Sequence, residues 1–251
     1  MIEAIDLSGK IALVTGGARG IGRGIVLKLA QAGADVAINY LEREDAAHEV
    51  ADWVRGMGRR ALLLKNDVCD ERDVHSMGEA IVAEFGRLDV AVNNVGPFLA
   101  RRVLKMAVED WRLMIEANLT SAFLVAREVV PLMERGESGG AIIFVGAPNA
   151  ERIGSQSEAS AYSIAKTGVV ILAQTLARDL GGKGIRVNIV NPGFIENDAM
   201  TPRMREWMPH EVPLGRIGTP ANVADAVLFL ASDHAAYVSG AVLNVHGGLW
   251  V

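Results

Sequence analysis

Along the chain, short apolar runs alternate with longer stretches whose apolar residues recur every three or four positions, and turn residues separate the two. The short runs are Ile11–Val14, Val36–Tyr40, Ala61–Leu64, Val90–Asn93, Ala141–Val145, Arg186–Val190 and Val242–Val245. Each has the length of a strand, and most are continuously apolar, as strands covered on both faces are. The stretches between them predict helices over Gly20–Gln31, Glu44–Gly56, Glu71–Phe85, Glu109–Met133, Ser160–Leu180 and Ala221–Ala231. Gly33 supplies a stop for the first of these. Strand–helix alternation in this order predicts a parallel sheet with right-handed crossovers. The expected fold is a doubly wound α/β sheet of about seven strands in three α/β/α layers. Ligands of such sheets lie beyond the carboxyl ends of the strands, so the chemistry is expected just after each apolar run.

Composition narrows the function classes. The chain has 251 residues, half of them hydrophobic, enough to bury a full core as one domain over residues 1–251. The net charge is -5, and Lys and Arg are interspersed with acids, which argues against a nucleic-acid partner. Polar residues interrupt every apolar run before the ~18 residues a membrane span needs, so no membrane partner is expected. The N-terminal MIEAIDLSGK carries early acids and no apolar core, unlike a signal peptide. Cys69 is the single cysteine, so no internal disulfide forms and a cytoplasmic location is expected.

The first candidate site follows the first strand: Thr15-Gly16-Gly17-Ala18-Arg19-Gly20-Ile21-Gly22. Glycines at 16, 20 and 22 permit a tight turn and close approach of backbone to phosphate. The next helix aims its free N–H groups and positive dipole end at the anion. Gly22 is expected to let that helix pack close to the sheet. A glycine cluster alone is a weak sign, but between a first strand and a first helix it points to a dinucleotide in a Rossmann-type fold. Tyr40 stands at the end of the second strand, where NAD-dependent proteins of this fold carry an acid for the ribose 2′-hydroxyl. Arg19 and Arg43 lie nearby and suit a 2′-phosphate, so NADP(H) is favoured over NAD(H). The same arginines also read as solvated surface charges. Asp67-Val68 after the third strand forms an edge for the adenine, and Asn94 and Gly96 after the fourth allow another close approach.

The second candidate site is Tyr162 with Lys166, spaced i, i+4 at the start of a helix and so on one face. A neighbouring ammonium favours phenolate and lowers the phenol's pKa, making the pair a tuned acid/base beside a carbonyl or alcohol. Asn118 falls on the apolar stripe formed by Trp111, Ile115, Ala122, Ala126 and Val129. It reads either as a satisfied core asparagine or as a relay group that resupplies protons to Lys166 and Tyr162.

Taken in order, Thr15 to Gly22, Asp67-Val68, Asn93-Asn94-Val95-Gly96, Asn118, Tyr162-Ser163-Ile164-Ala165-Lys166, Asn191-Pro192-Gly193 and Gly240 to Gly248 span nearly the whole chain. The set resembles the short-chain dehydrogenase/reductase family, and most its 3-oxoacyl-[acyl-carrier-protein] reductase-like members. The resemblance implies an NAD(P)(H)-dependent oxidoreductase that reduces a carbonyl or oxidises an alcohol by hydride transfer. Tyr162 would be the general acid/base, Lys166 would bind the nicotinamide ribose and lower the phenol's pKa, and Asn118 would anchor the relay. Pro192, Gly193 and Ile195 would meet the nicotinamide. The family implies a homotetramer or homodimer, with the helices over Glu109–Met133 and Ser160–Leu180 at one interface, and a substrate lid near residues 197–216. The substrate is a small-molecule carbonyl or alcohol.

The chain departs from the family in several places. The family's catalytic serine after the fifth strand maps to Ala147 by strand alignment, or to Asn149 by counting back from Tyr162. Neither has a hydroxyl, and by the same resemblance the loop to Tyr162 is about two residues longer than the family's. Losing one donor to a developing oxyanion costs on the order of 10²–10³ in rate. Asn149, Ser155, Ser157 and Ser160 are the candidate substitutes. Asn197 stands where threonine is frequent, and His246 where an acid is. No histidines have metal-ligand spacing, so no metal is expected. The alternative is a dinucleotide-binding member of little or no activity, serving as a sensor or partner.

Overall fold

The computed structural model describes residues 4–136, 139–152 and 158–249. Its seven strands are β1 (Ile11–Val14), β2 (Asp35–Tyr40), β3 (Ala61–Lys65), β4 (Val90–Asn93), β5 (Gly140–Val145), β6 (Ile185–Pro192) and β7 (Val242–Val245). All neighbours pair in parallel, in the order β3-β2-β1-β4-β5-β6-β7. The order reverses between β1 and β4, which opens a crevice at their carboxyl ends.

Alternate residues of each strand face opposite layers. Val14, Ile38, Ile143 and Val190 pack with α1 (Gly20–Gln31), α2 (Glu44–Gly56) and α8 (Pro220–Ala231). Leu13, Ile142, Phe144 and Ile189 pack with α3 (Glu71–Phe85), α5 (Ser121–Met133) and α6 (Ser160–Leu180). The helix ends follow from local chemistry. Asp70 accepts bonds from the N–H groups of Arg72 and Asp73 to start α3, and Gly86, with φ +81°, ends it.

Two elements differ from the sequence expectation. The single helix expected over Glu109–Met133 is α4 (Val108–Ile115), a π-helical turn over Glu116–Thr120, and α5. The side chains of the turn explain the break. Asn118 Nδ2 donates to Met114 O at 3.0 Å, and Ser121 Oγ donates to Ala117 O at 2.8 Å, so both compete with backbone donors for carbonyls four residues back. The extra residue turns the apolar stripe, leaving Trp111 37% exposed while Asn118 is buried. The second difference is α7 (Pro202–Glu211) inside the segment expected only as a lid. Thr201 Oγ1 accepts from Met204 N, and Pro202 occupies the first turn, a start signal present in the sequence. Among the described residues, no helix is long and apolar enough to cross a membrane.

Candidate active site

The glycine turn is held from two strands at once. Thr15 Oγ1 accepts the N–H groups of Asn94 (2.9 Å) and Val95 (3.3 Å), and Asn94 Nδ2 donates to Thr15 O at 2.9 Å. On the other side, Asn39 Oδ1 accepts from Gly16 N at 3.3 Å, and Asn39 O accepts from Gly17 N at 2.9 Å. Asn39 was missed as a functional residue in the sequence; its signal is a buried amide closing an apolar strand. Gly16 and Gly20 have φ of +62° and +52°, the left-handed region that glycine adopts at least cost. A Cβ on Gly22 would overlap the carbonyl oxygen of Gly16 and crowd Asn94, so the close approach is to the turn itself rather than to the sheet. Arg19 precedes α1 without a side-chain cap, so the amides of the first turn, from Gly20 and Ile21 onward, have no capping side chain. These features fit a pyrophosphate.

At the end of β2, the Tyr40 ring is buried against Ala18 and Ala47. Arg19 and Arg43 are both exposed, and Arg43 takes a left-handed conformation as it leads into α2. Asp67 forms a tight turn after β3: its Oδ1 accepts from Cys69 N at 2.9 Å, and its N–H donates to Asp73 Oδ2 at 2.8 Å. Val68 is buried beside it. Burial and the neighbouring Asp67 push the Cys69 thiol up to about 12, so it stays protonated and unreactive at neutral pH.

Asn118, Lys166 and Gly96 converge. A Cβ on Gly96 would lie 2.5 Å from Asn118 Oδ1 and 2.7 Å from Lys166 Nζ. Asn118 Nδ2 is fully used, donating to Pro97 O at 3.1 Å as well as to Met114 O. Its Oδ1 is buried and has no partner among the described residues. Lys166 Nζ donates to Val145 O at 2.8 Å and lies 5.9 Å from the centre of the Tyr162 ring.

The protonation chemistry differs from the sequence expectation. Burial pushes the Tyr162 phenol up to about 12, rather than an ammonium pulling it down, and burial pushes Lys166 down to about 8. The ammonium is directed at the Val145 carbonyl, and loss of water from both groups dominates.

After β6, the close approach of Gly193 is to His246, whose Cβ would lie 2.6 Å from a Cβ placed there. Pro192 ends β6, and Ile195 is buried and bridges to Gly218. Asn197 braces its own loop, donating to Ile195 O and accepting from Ala199 N, both at 3.0 Å. Phe194 meets Trp207 of α7 edge-on at 5.5 Å.

Ala147 is buried with Ala150 and Val170, and Tyr162 and Val242 pack against this group. The strand-aligned serine position is thus a methyl group in the buried cluster that Tyr162 packs against. Asn149 sits in a left-handed turn, and Ser160 Oγ is buried without a partner among the described residues. Ser155 and Ser157 lie outside the described residues. Phe98, not singled out from the sequence, meets the Tyr162 ring edge-on at 5.1 Å and is itself 63% exposed.

Known proteins agree with this picture. Residues 16–250 match a family model described as enoyl-(acyl carrier protein) reductase. The Escherichia coli K12 protein 3-oxoacyl-[acyl-carrier-protein] reductase FabG is 39% identical over 250 residues, covering 98% of this chain and all of that one. A blue fluorescent protein from a metagenomic library, solved with NADPH, superposes with a TM-score of 0.91 at 35% identity, covering 98% of this chain and all of the other. A 7α-hydroxysteroid dehydrogenase, solved with NADH and a 7-oxo bile acid, superposes with a TM-score of 0.91 at 33% identity, over 97% of this chain and 95% of the other. The chain belongs to the short-chain dehydrogenase/reductase family. It is an NAD(P)-dependent oxidoreductase acting on a carbonyl or the corresponding alcohol, and the relatives lend no support to the alternative of an inactive binding protein.

Proposed function

We propose that the chain reduces the ketone of a 3-oxoacyl substrate with NADPH. The observation that carries this reading is the meeting of Asn118, Lys166 and Gly96 beside Tyr162 at the open end of the crevice that begins at the glycine turn. The name of the 39%-identical relative supports the substrate class. When bound, the dinucleotide supplies the hydride. The protein's own residues orient the ketone and deliver the proton. A phenol held near 12 is fully protonated at neutral pH and is a far stronger acid than an alcohol, so Tyr162 is poised to protonate the oxygen as negative charge develops on it. Lys166, fixed by Val145 O, holds its ammonium beside that phenol. Asn118 Oδ1, without a partner among the described residues, provides an acceptor for a water that carries the next proton inward.

Preference for the 2′-phosphorylated cofactor rests on Arg19 and Arg43, both exposed, and on a buried Tyr40 where an acid would select NAD. Asp67 and Val68 border the adenine, Asn94 and Gly96 the central ribose, and Pro192, Gly193 and Ile195 the nicotinamide. Residues 197–216, with α7, form the lid over a single domain. Exposed Trp111, Leu113, Phe123, Ile164 and Ile171 on α4, α5 and α6 support a homodimer or homotetramer built on these helices, and the single cysteine, Cys69, supports a cytoplasmic location. The test is NADPH oxidation with acetoacetyl-CoA. The parent chain turns over, and Tyr162→Phe loses on the order of 10²–10⁴ in rate. A Tyr162→Phe protein as active as its parent overturns the assigned role.

A further inference from the structure

The loop that follows β5 has Ala147 at the strand-aligned serine position, and a carboxylate anchors it. Glu151 Oε2 accepts from Asn191 Nδ2 at 2.9 Å, and Glu151 Oε1 accepts from Asn244 Nδ2, also at 2.9 Å. The two asparagines stand opposite each other in register on β6 and β7, so one side chain closes across both strand ends. Asn191 is completely buried, and its Oδ1 faces Gly146, where any Cβ would overlap it. Turning that amide over would aim its oxygen at the carboxylate, so the donor orientation toward Glu151 is fixed.

Ala147 and Ala150, shortly before Glu151, form a buried cluster with Val170 against which Tyr162 packs, while Phe98 meets the Tyr162 ring edge-on. We propose that Glu151 is a positioning residue: its bonds to Asn191 and Asn244 hold Ala147 and Ala150 against the Tyr162 ring and thereby aim the phenol at the substrate oxygen. The proposal rests on the carbonyl-reductase reading above. In this chain, which has alanine at the serine position, orientation of the phenol depends on the latch, and a misplacement of about 1 Å at a proton donor costs on the order of 10² in rate.

The test compares Glu151→Ala, Glu151→Gln and Asn244→Ala with the parent in NADPH-dependent reduction of acetoacetyl-CoA, with NADPH affinity measured separately by fluorescence. Glu151→Ala lowers kcat roughly 10- to 100-fold and changes NADPH affinity by less than about twofold. Gln keeps the volume but has one acceptor oxygen in place of two, so Glu151→Gln falls between alanine and the parent. Asn244 is exposed, so its replacement leaves the core intact and lowers kcat in the same direction, by less. The proposal is overturned if kcat is unchanged in these variants, if Gln works as well as Glu, or if the loss follows NADPH affinity. A parent chain that binds NADPH but reduces no acetoacetyl-CoA refutes the functional reading and the latch with it, before any variant is made.

Discussion

Lys166 is a buried ammonium with a neutral partner, and that gives the fold a measurable dependence on pH. The residue is 3% exposed, it donates a hydrogen bond to the Val145 carbonyl, and burial lowers its pKa from 10.5 to about 8. A base whose pKa is depressed by folding binds its proton more tightly in the unfolded chain, so the unfolded state takes up more protons and stability rises with pH. The gap from 10.5 to about 8 amounts to about 3 kcal/mol of destabilisation below pH 8, relieved as pH climbs toward 10.5. Between pH 7 and 9.5 the recovery is about 2 kcal/mol. Tyr162 works the other way: its raised pKa contributes stability that is fully present below pH 10 and lost toward 12, so it barely enters this window. The perturbation is Lys166→Met, which keeps the length and removes the charge. Orphaning the Val145 carbonyl costs about 1–3 kcal/mol at every pH and leaves the slope untouched. Denaturant unfolding of the dinucleotide-free protein, at one protein concentration, is measured at pH 7 and 9.5. The parent gains about 2 kcal/mol more than the variant over that interval. Equal gains would refute the reasoning, because the ammonium would then be as well solvated in the folded chain as in the unfolded one.

Two further predictions concern the cofactor crevice. Gly22→Ala places a methyl group into the Gly16 carbonyl, so NADPH affinity measured by calorimetry falls at least about tenfold; unchanged affinity would show that the turn relaxes without cost. Removing both arginines, Arg19→Ala with Arg43→Ala, lowers kcat/KM with NADPH relative to NADH by about 10² or more, since each charge-assisted bond to a phosphate is worth about 1.5–3 kcal/mol; an unchanged ratio means that neither meets the 2′-phosphate.

The features legible in the sequence were those that depend on which face a residue occupies. The strands are recoverable because β1, β4 and nearly all of β5 are buried on both faces, and the one polar residue in those three runs, Asn93, only closes β4. The strand errors are one or two residues at the ends, as at Asp35, whose carboxylate bonds Arg60 at the mouth of β2 and so reads as polar. What stayed hidden depends on where a polar atom finds its partner. A helical period cannot report that Asn118 takes the Met114 carbonyl and opens a π turn, since both arrangements keep the residue on the inner face. An i, i+4 spacing brings Lys166 to the side of Tyr162, but the distant Val145 carbonyl decides where the ammonium points, and burial then decides both pKa values. Glu151 shows the same rule over a longer range, because its partners are 40 and 93 residues away on strands that read as apolar. The polar side chains of this site are thus set by long-range contacts on a scaffold set by local ones. Sequence patterning therefore finds the crevice more surely than it finds what orients the phenol within it.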